Sequence, residues 1–317
     1  MEPNRVVITG MGMVTPLGAT FAECARAWRE GRLATRQPLP ELNGTPLEDI
    51  PVATLPGIKA AERLGGRRML KYMSDAAVLG CLAGREALED AQAKVRFSPE
   101  RIGLYAGTGL ATADIDEVKA MVEASIDERG QFSCRLLGER GLAATNPLLS
   151  FKILANMPPC LISIMECIKG PNLIFTPWEG QTGAALLEAW RAVASGEVDC
   201  ALAGAADNAA HPATFIYLHQ AGLLRLNEYP ASGAAYLVFE ALETATKDGR
   251  PIYAEIENVS LSPCDEGVKD PLSEPLGRTF AAAPAILLGL KSIHGGGRLS
   301  ICGVDQQRLE IELKASS

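Results

Sequence analysis

Residues 5–18 read Arg5-Val6-Val7-Ile8-Thr9-Gly10-Met11-Gly12-Met13-Val14-Thr15-Pro16-Leu17-Gly18. The run Arg5–Thr9 is short and apolar and is followed by glycine, which predicts a buried strand. Ile102–Ala106 repeats the signature. Between them, Met69 to Ala93 carries apolar and small residues at helical spacing, among them Met73, Ala77, Ala83 and Leu88. Further strands are predicted at Leu173–Thr176, Cys200–Ala203, Ala234–Phe239, Ile252–Leu261, Leu299–Val304 and Leu309–Leu313. Helices are predicted at Phe21–Glu30, Ala113–Ile126, Thr182–Ala194, Pro212–Ala221 and Leu276–Ile293. Strands separated by helix-length segments predict layered α/β packing around largely buried sheets.

The segments Thr35–Gly66 and Cys264–Pro275 read as loops. A glycine-flanked strand-helix-strand pattern in residues 1–250 restarts at Ile252–Leu261, so 251–317 is expected to be a shorter second unit within one compact body. Its end, Leu309-Glu310-Ile311-Glu312-Leu313, alternates strictly, as a strand with one wet face does.

Lys and Arg total 30 against 38 Asp and Glu, a net charge of −8, so no basic surplus exists to neutralise nucleic-acid phosphates. The longest apolar stretch, Phe280–Leu290, falls short of the ~20 residues that span a bilayer. Met1-Glu2-Pro3-Asn4-Arg5 runs directly into the first strand, so no signal peptide is expected. The cysteines (24, 81, 134, 160, 167, 200, 264 and 302) form no CxxC pair. Free thiols, no zinc, no disulfide framework and a cytoplasmic setting are the expectation. Cys160 and Cys167 are expected on a buried helix, His211 and His219 flanking a helix, and His294 in a helix-end turn.

Residues 5–18 resemble the start of β-ketoacyl-acyl-carrier-protein synthases. Further landmarks follow in family order: Gly107-Thr108-Gly109, Asn156-Met157, Ile168-Lys169-Gly170-Pro171-Asn172, Gly196-Glu197-Val198-Asp199 with Ala203-Gly204-Ala205, Ser232 to Glu240, and Ile252-Tyr253-Ala254-Glu255-Ile256. The resemblance covers residues 4–262 well and the remainder loosely. It implies a thiolase-like fold, layered α-β-α-β-α, here with an abbreviated C-terminal half. Active members carry a cysteine at the N-terminus of a buried helix, where the dipole and free N–H groups stabilise the thiolate. Two histidines there stabilise the enolate oxygen.

Ungapped counting from Gly170-Pro171-Asn172, and backwards from Gly196, places that cysteine at Glu179. A shift of one or two residues gives Gly180 or Gln181. The motif of the first histidine is missing, in a stretch that reads as deleted between Asp265 and Leu272. In the second motif Arg278 stands for the histidine and Ser273 for the lysine. The glycine-rich gate near the C-terminus corresponds to Ile301-Cys302-Gly303-Val304-Asp305.

In this respect the chain is similar to the chain-length-factor subunits of type II polyketide synthases. That resemblance implies a chain that is no enzyme by itself, needs no cofactor or metal, and pairs with a catalytic ketosynthase and, through the complex, an acyl carrier protein. Leu173, Ile174, Phe175 and Thr176 would form the dimer strand. Leu148, Leu149 and Phe151, with Leu110 and Thr112, would face the partner or the acyl tunnel. A polyene pathway, such as that of the aryl-polyenes, is the setting this divergence favours. The alternatives are a malonyl-carrier-protein decarboxylating enzyme, with Glu179 or Gln181 stabilising an enolate, and a homodimeric binding module.

Overall fold

The computed structural model describes residues 3–224, 227–265, 267–294 and 296–315. In chain order the first main elements are β1 (Val6–Val14), α1 (Phe21–Arg29), α2 (Asp75–Asp90), β2 (Ile102–Thr108), α3 (Ile115–Ala124), α4 (Met157–Glu166) and β3 (Asn172–Phe175). They continue with α5 (Glu179–Ala194), β4 (Cys200–Asn208), α6 (Pro212–Gln220), β5 (Ser232–Ala241), α7 (Leu242–Lys247) and β6 (Ala254–Pro263). Helix α8 (Ala283–Ser292) and strands β7 (Gly296–Cys302) and β8 (Gln307–Ala315) complete the set.

Strand β1 does not stop at Thr9 but continues, fully buried, to Val14. Its glycines make close contact rather than a turn. A Cβ on Gly10 would lie 2.3 Å from the Ala87 carbonyl oxygen, and one on Gly12 2.0 Å from that of Ala83. Their absence lets α2 press its backbone onto the sheet. Helix α2 is shorter than its apolar pattern. Ser74 caps it by accepting from the Ala77 amide, and past its end Gln92 turns left-handed at φ 51°.

The strands form one eight-stranded sheet in the order β3-β2-β4-β5-β1-β6-β8-β7. Strand β2 runs parallel to β3 and β4, and every other pairing is antiparallel. Only Val6, Val7 and Ile8 pair β1 with β6, opposite Ile256, Glu255 and Ala254. The sheet therefore turns a corner there. Helices α2 and α4 cover the outer face of the five-strand portion, while α5 and α8 pack between it and the three-strand portion. Leu309, Ile311 and Leu313 of β8 point inward, and the intervening Glu310 and Glu312 lie on the wet face that their alternation predicts.

Three expectations for the second half change. Helix α8 starts at Ala283 rather than Leu276, because the chain first makes a tight turn at Phe280 (φ 39°) and a short 3-10 helix. Strands β7 and β8 meet at a turn where the Gly303 amide donates to the Gln307 carbonyl, so β7 ends at Cys302. Cys264 and Cys302, expected as free thiols, form a disulfide across 38 residues, with Cα atoms 6.2 Å apart. Their spacing in sequence hides that β6 and β7 flank β8 and bring their ends together.

Candidate functional site

Helix α5 begins at Glu179, three residues before the predicted start, with Trp178 as N-cap. Its small residues admit close neighbours on both sides, as a helix between two sheet portions requires. A Cβ on Gly183 would meet the Leu261 side chain at 2.8 Å. Glu179 is therefore fully buried at the helix N-terminus, an end whose dipole favours negative charge.

Arg278 reaches it from the segment before α8. Its Nη2 donates to Glu179 Oε1 at 2.7 Å, its Nη1 to both Glu228 oxygens at 3.2 Å, and its Nε lies 3.2 Å from Asp270 Oδ2. The Val304 amide donates to Glu179 Oε2 at 3.2 Å, and the Leu272 amide to Asp270 Oδ1 at 2.9 Å. The guanidinium carbon lies 4.6 Å from the centroid of the Phe280 ring, adding a cation–π contact. Arg278 has no exposed surface. It is a charge held wholly by the fold.

The electrostatics follow from burial. One guanidinium faces Glu179, Asp270 and Glu228. Burial raises the Glu179 pKa against the opposing pull of Arg278, and pushes Asp270 up to about 6. Asp207, at the end of β4, accepts from the Ala281 amide at 3.0 Å; burial, reinforced by the Glu179 charge, pushes it up to about 8. Burial opposes the Arg278 charge, yet the three carboxylates hold its pKa above the ordinary arginine value.

Among the described residues, the side-chain polar contacts of Glu179 and Arg278 join them to each other, to Glu228 and Asp270 and to the Val304 amide, none to a thiol or imidazole. A carboxylate paired in this way holds an arginine at a helix N-terminus; it does not form a thioester. Gln181, half-buried, lies in the same first helical turn, and the Gly180 amide donates to Asp305 at 3.3 Å. Ser273 lies in a turn, its amide donating to the Asp270 carbonyl. Cys160 opens α4 half-buried, whereas Cys167 is exposed and left-handed at its C-terminus rather than on a buried helix; burial runs out with the last turn. His211 caps α6 by accepting from the Ala213 amide at 3.2 Å.

Leu110 and Thr112 line an open cleft of about 630 Å³ together with Lys152, Glu117, Asp75 and His211. Gly109 separates this cleft from the carboxylate cluster, since a Cβ there would lie 1.9 Å from Asp207 Oδ1. Leu149 is buried, Leu148 half-buried and Phe151 exposed. Leu173, Ile174 and Phe175 lie on β3, the sheet's edge, with Leu173 exposed and Thr176 just beyond the strand. Sequence reasoning missed Asp207, Glu228 and Asp270. Asp207 had a signal, an acidic residue ending the run Cys200–Ala206; the other two lie in polar segments where a carboxylate draws no notice.

The helix-between-sheets arrangement is a thiolase-like fold. The family description "Beta-ketoacyl synthase, N-terminal domain" matches residues 3–235, and the chain belongs to the β-ketoacyl synthase family. A 3-oxoacyl-(acyl-carrier-protein) synthase 2 of Synechocystis sp. is 24% identical over 90% of this chain and 69% of its own length. Among solved structures, a type II PKS acyl-carrier protein in complex with its ketosynthase bound to the hexaketide contains a chain with a TM-score of 0.78 at 16% identity, covering 99% of this chain and 100% of that one. The ishigamide ketosynthase/chain length factor gives 0.77 at 18%, with the same coverage. These two show the fold. The relatives correct one expectation: a chain that is no enzyme by itself does not agree with sequence relatives named as 3-oxoacyl-acyl-carrier-protein synthases. Among the described residues no helix is long and apolar enough to cross a membrane.

Proposed function

We propose that the chain works as the chain-length-factor-like subunit of a condensing enzyme, paired with a second ketosynthase that is loaded with the acyl chain. The observation that carries this reading is the Glu179–Arg278 ion pair at the N-terminus of α5, the position where the family resemblance calls for a thiolate. The acyl chain loaded on the partner then extends into space that this chain lines. Edge strand β3, with Leu173 exposed, offers unpaired backbone groups for a partner's strand. Phe151 and Leu148 bring apolar surface from the neighbouring segment, and Leu110 and Thr112 line the adjoining cleft. An acyl carrier protein meets the complex through the loaded subunit. The ishigamide ketosynthase/chain length factor lends this reading the support of a shared fold.

Co-expression with a ketosynthase that retains Cys and both His tests it. A stable heterodimer is expected, and Leu110→Phe is expected to shorten its products, because the larger side chain takes volume from the cleft that Leu110 lines. Product mass spectra also test the polyene setting. The reading is sunk by a chain that forms no such complex, or by a Leu110→Phe complex whose products keep their length.

A further inference from the structure

We propose that the Cys264–Cys302 disulfide is a redox-active site that takes a dithiol reductant and latches the segment carrying Asp270 and Arg278. The inference does not depend on the function proposed above. Three observations converge on it.

The bridge lies beside a cation. Arg308 of β8 places Nε 3.5 Å from Cys302 Sγ and Nη2 3.8 Å from Cys264 Sγ. A guanidinium at this distance stabilises a thiolate, and a stabilised thiolate leaves a disulfide more readily. The cover over the bridge is thin as well. Both cysteines are buried, but Pro263 and Asp265 on either side of Cys264 are exposed, so a small local opening admits a reductant to that sulfur.

The third observation is what hangs from the bridge. Lys269 exchanges both backbone hydrogen bonds with Cys302, at 3.0 and 3.1 Å, so the bridged end of β7 also holds the segment Gly267–Arg278. Next in sequence, Asp270 lies against Arg278 Nε, and Arg278 closes over Glu179. The latch and the buried cluster are one mechanical unit.

The chemistry balances. A thiolate of the dithiol attacks Cys264 Sγ, the S–S bond breaks, and Cys302 leaves as a thiolate beside Arg308. The second thiol of the reductant displaces Cys264 from the mixed disulfide. Two electrons and two protons pass to the protein, giving two cysteine thiols and a cyclic disulfide of the reductant.

Dithiothreitol is the probe, on the full chain. Without it, Cys264 and Cys302 are expected to resist iodoacetamide while Cys134 and Cys167 are alkylated. With it, both become alkylated, and amide hydrogen exchange over Gly267–Arg278 rises at least tenfold with no change in β2 or β4. Arg308→Gln is expected to slow reduction severalfold. Cys264→Ala/Cys302→Ala is expected to exchange fast with or without dithiol. Alkylation of both cysteines without reductant, exchange that ignores the redox state, or an Arg308→Gln chain reduced at the wild-type rate overturns the proposal. The wild-type readings decide it even if the double variant folds poorly.

Discussion

Strands β4 and β8 lie near the middle of the two portions of the sheet and bury different things. In β4 every residue from Cys200 to Asp207 is buried: Cys200, Leu202 and Ala206 face α2 and α4, while Ala201 and Ala203 face α5 and α8. In β8 only Leu309, Ile311 and Leu313 of nine residues are buried, and Glu310 and Glu312 lie on the opposite face. A strand covered on both faces draws its stability from apolar area, about 25 cal/mol per Å². A strand covered on one face has half that supply. The second portion adds fixed connections instead: a disulfide between β6 and β7, and a buried ion-pair cluster tying it to α5. The lesson is that the portion covered on one face gains a disulfide and a buried ion-pair cluster beside its smaller apolar area.

The comparison breaks most readily at Arg278. Arg278→Met leaves Glu179 and Asp270 without their cation, and removing one partner of a buried pair costs about 3–5 kcal/mol. Glu179→Gln added to it is expected to recover part of the loss, since it removes the buried charge at 179 while Asp270 keeps its own. Urea unfolding of the single and double variants measures this; equal midpoints for Arg278→Met and wild type would show that the cluster contributes nothing.

The disulfide comes next. Opening the loop between Cys264 and Cys302 by Cys264→Ser is expected to cost about 2–4 kcal/mol, against no change on substituting the exposed Cys134. Thermal unfolding under non-reducing conditions separates the two.

The pH dependence is the most gradual effect, spread over several pH units. Asp207 holds its proton in the folded chain up to about pH 8, while in the unfolded chain it loses it near pH 4. Between these values the folded state binds more protons, so stability falls as pH rises, and levels off above about 8. Below the unfolded value the group is neutral in both states and contributes nothing. The slope is at most about 1.4 kcal/mol per pH unit. Asp207→Asn is expected to flatten the curve between pH 5 and 8, with the larger gain at pH 8; an unchanged slope would place the titration elsewhere.

Much of this was legible along the chain. The α/β order, the buried β1 and the wet face of Leu309–Leu313 all follow from local patterns, because a strand's apolar alternation and a helix's apolar spacing are properties of neighbours in sequence. Glu179 was reached by counting from Gly170. The end of β1 was misplaced, since glycine in a strand and glycine in a turn look alike until α2 presses on Gly10 and Gly12. Asp270 stayed hidden in a loop whose composition says only that it is polar.

The sequence alone determined which stretches could become strands and helices, α5 among them from Thr182 onward. Those outcomes depend on residues a few positions apart. Only the tertiary structure decided that Arg278 would close over Glu179, 99 residues earlier, and that Cys264 would meet Cys302. A buried charge needs a partner and a thiol needs another within reach. Which residues answer depends on where β6, β7 and α8 come to rest against α5.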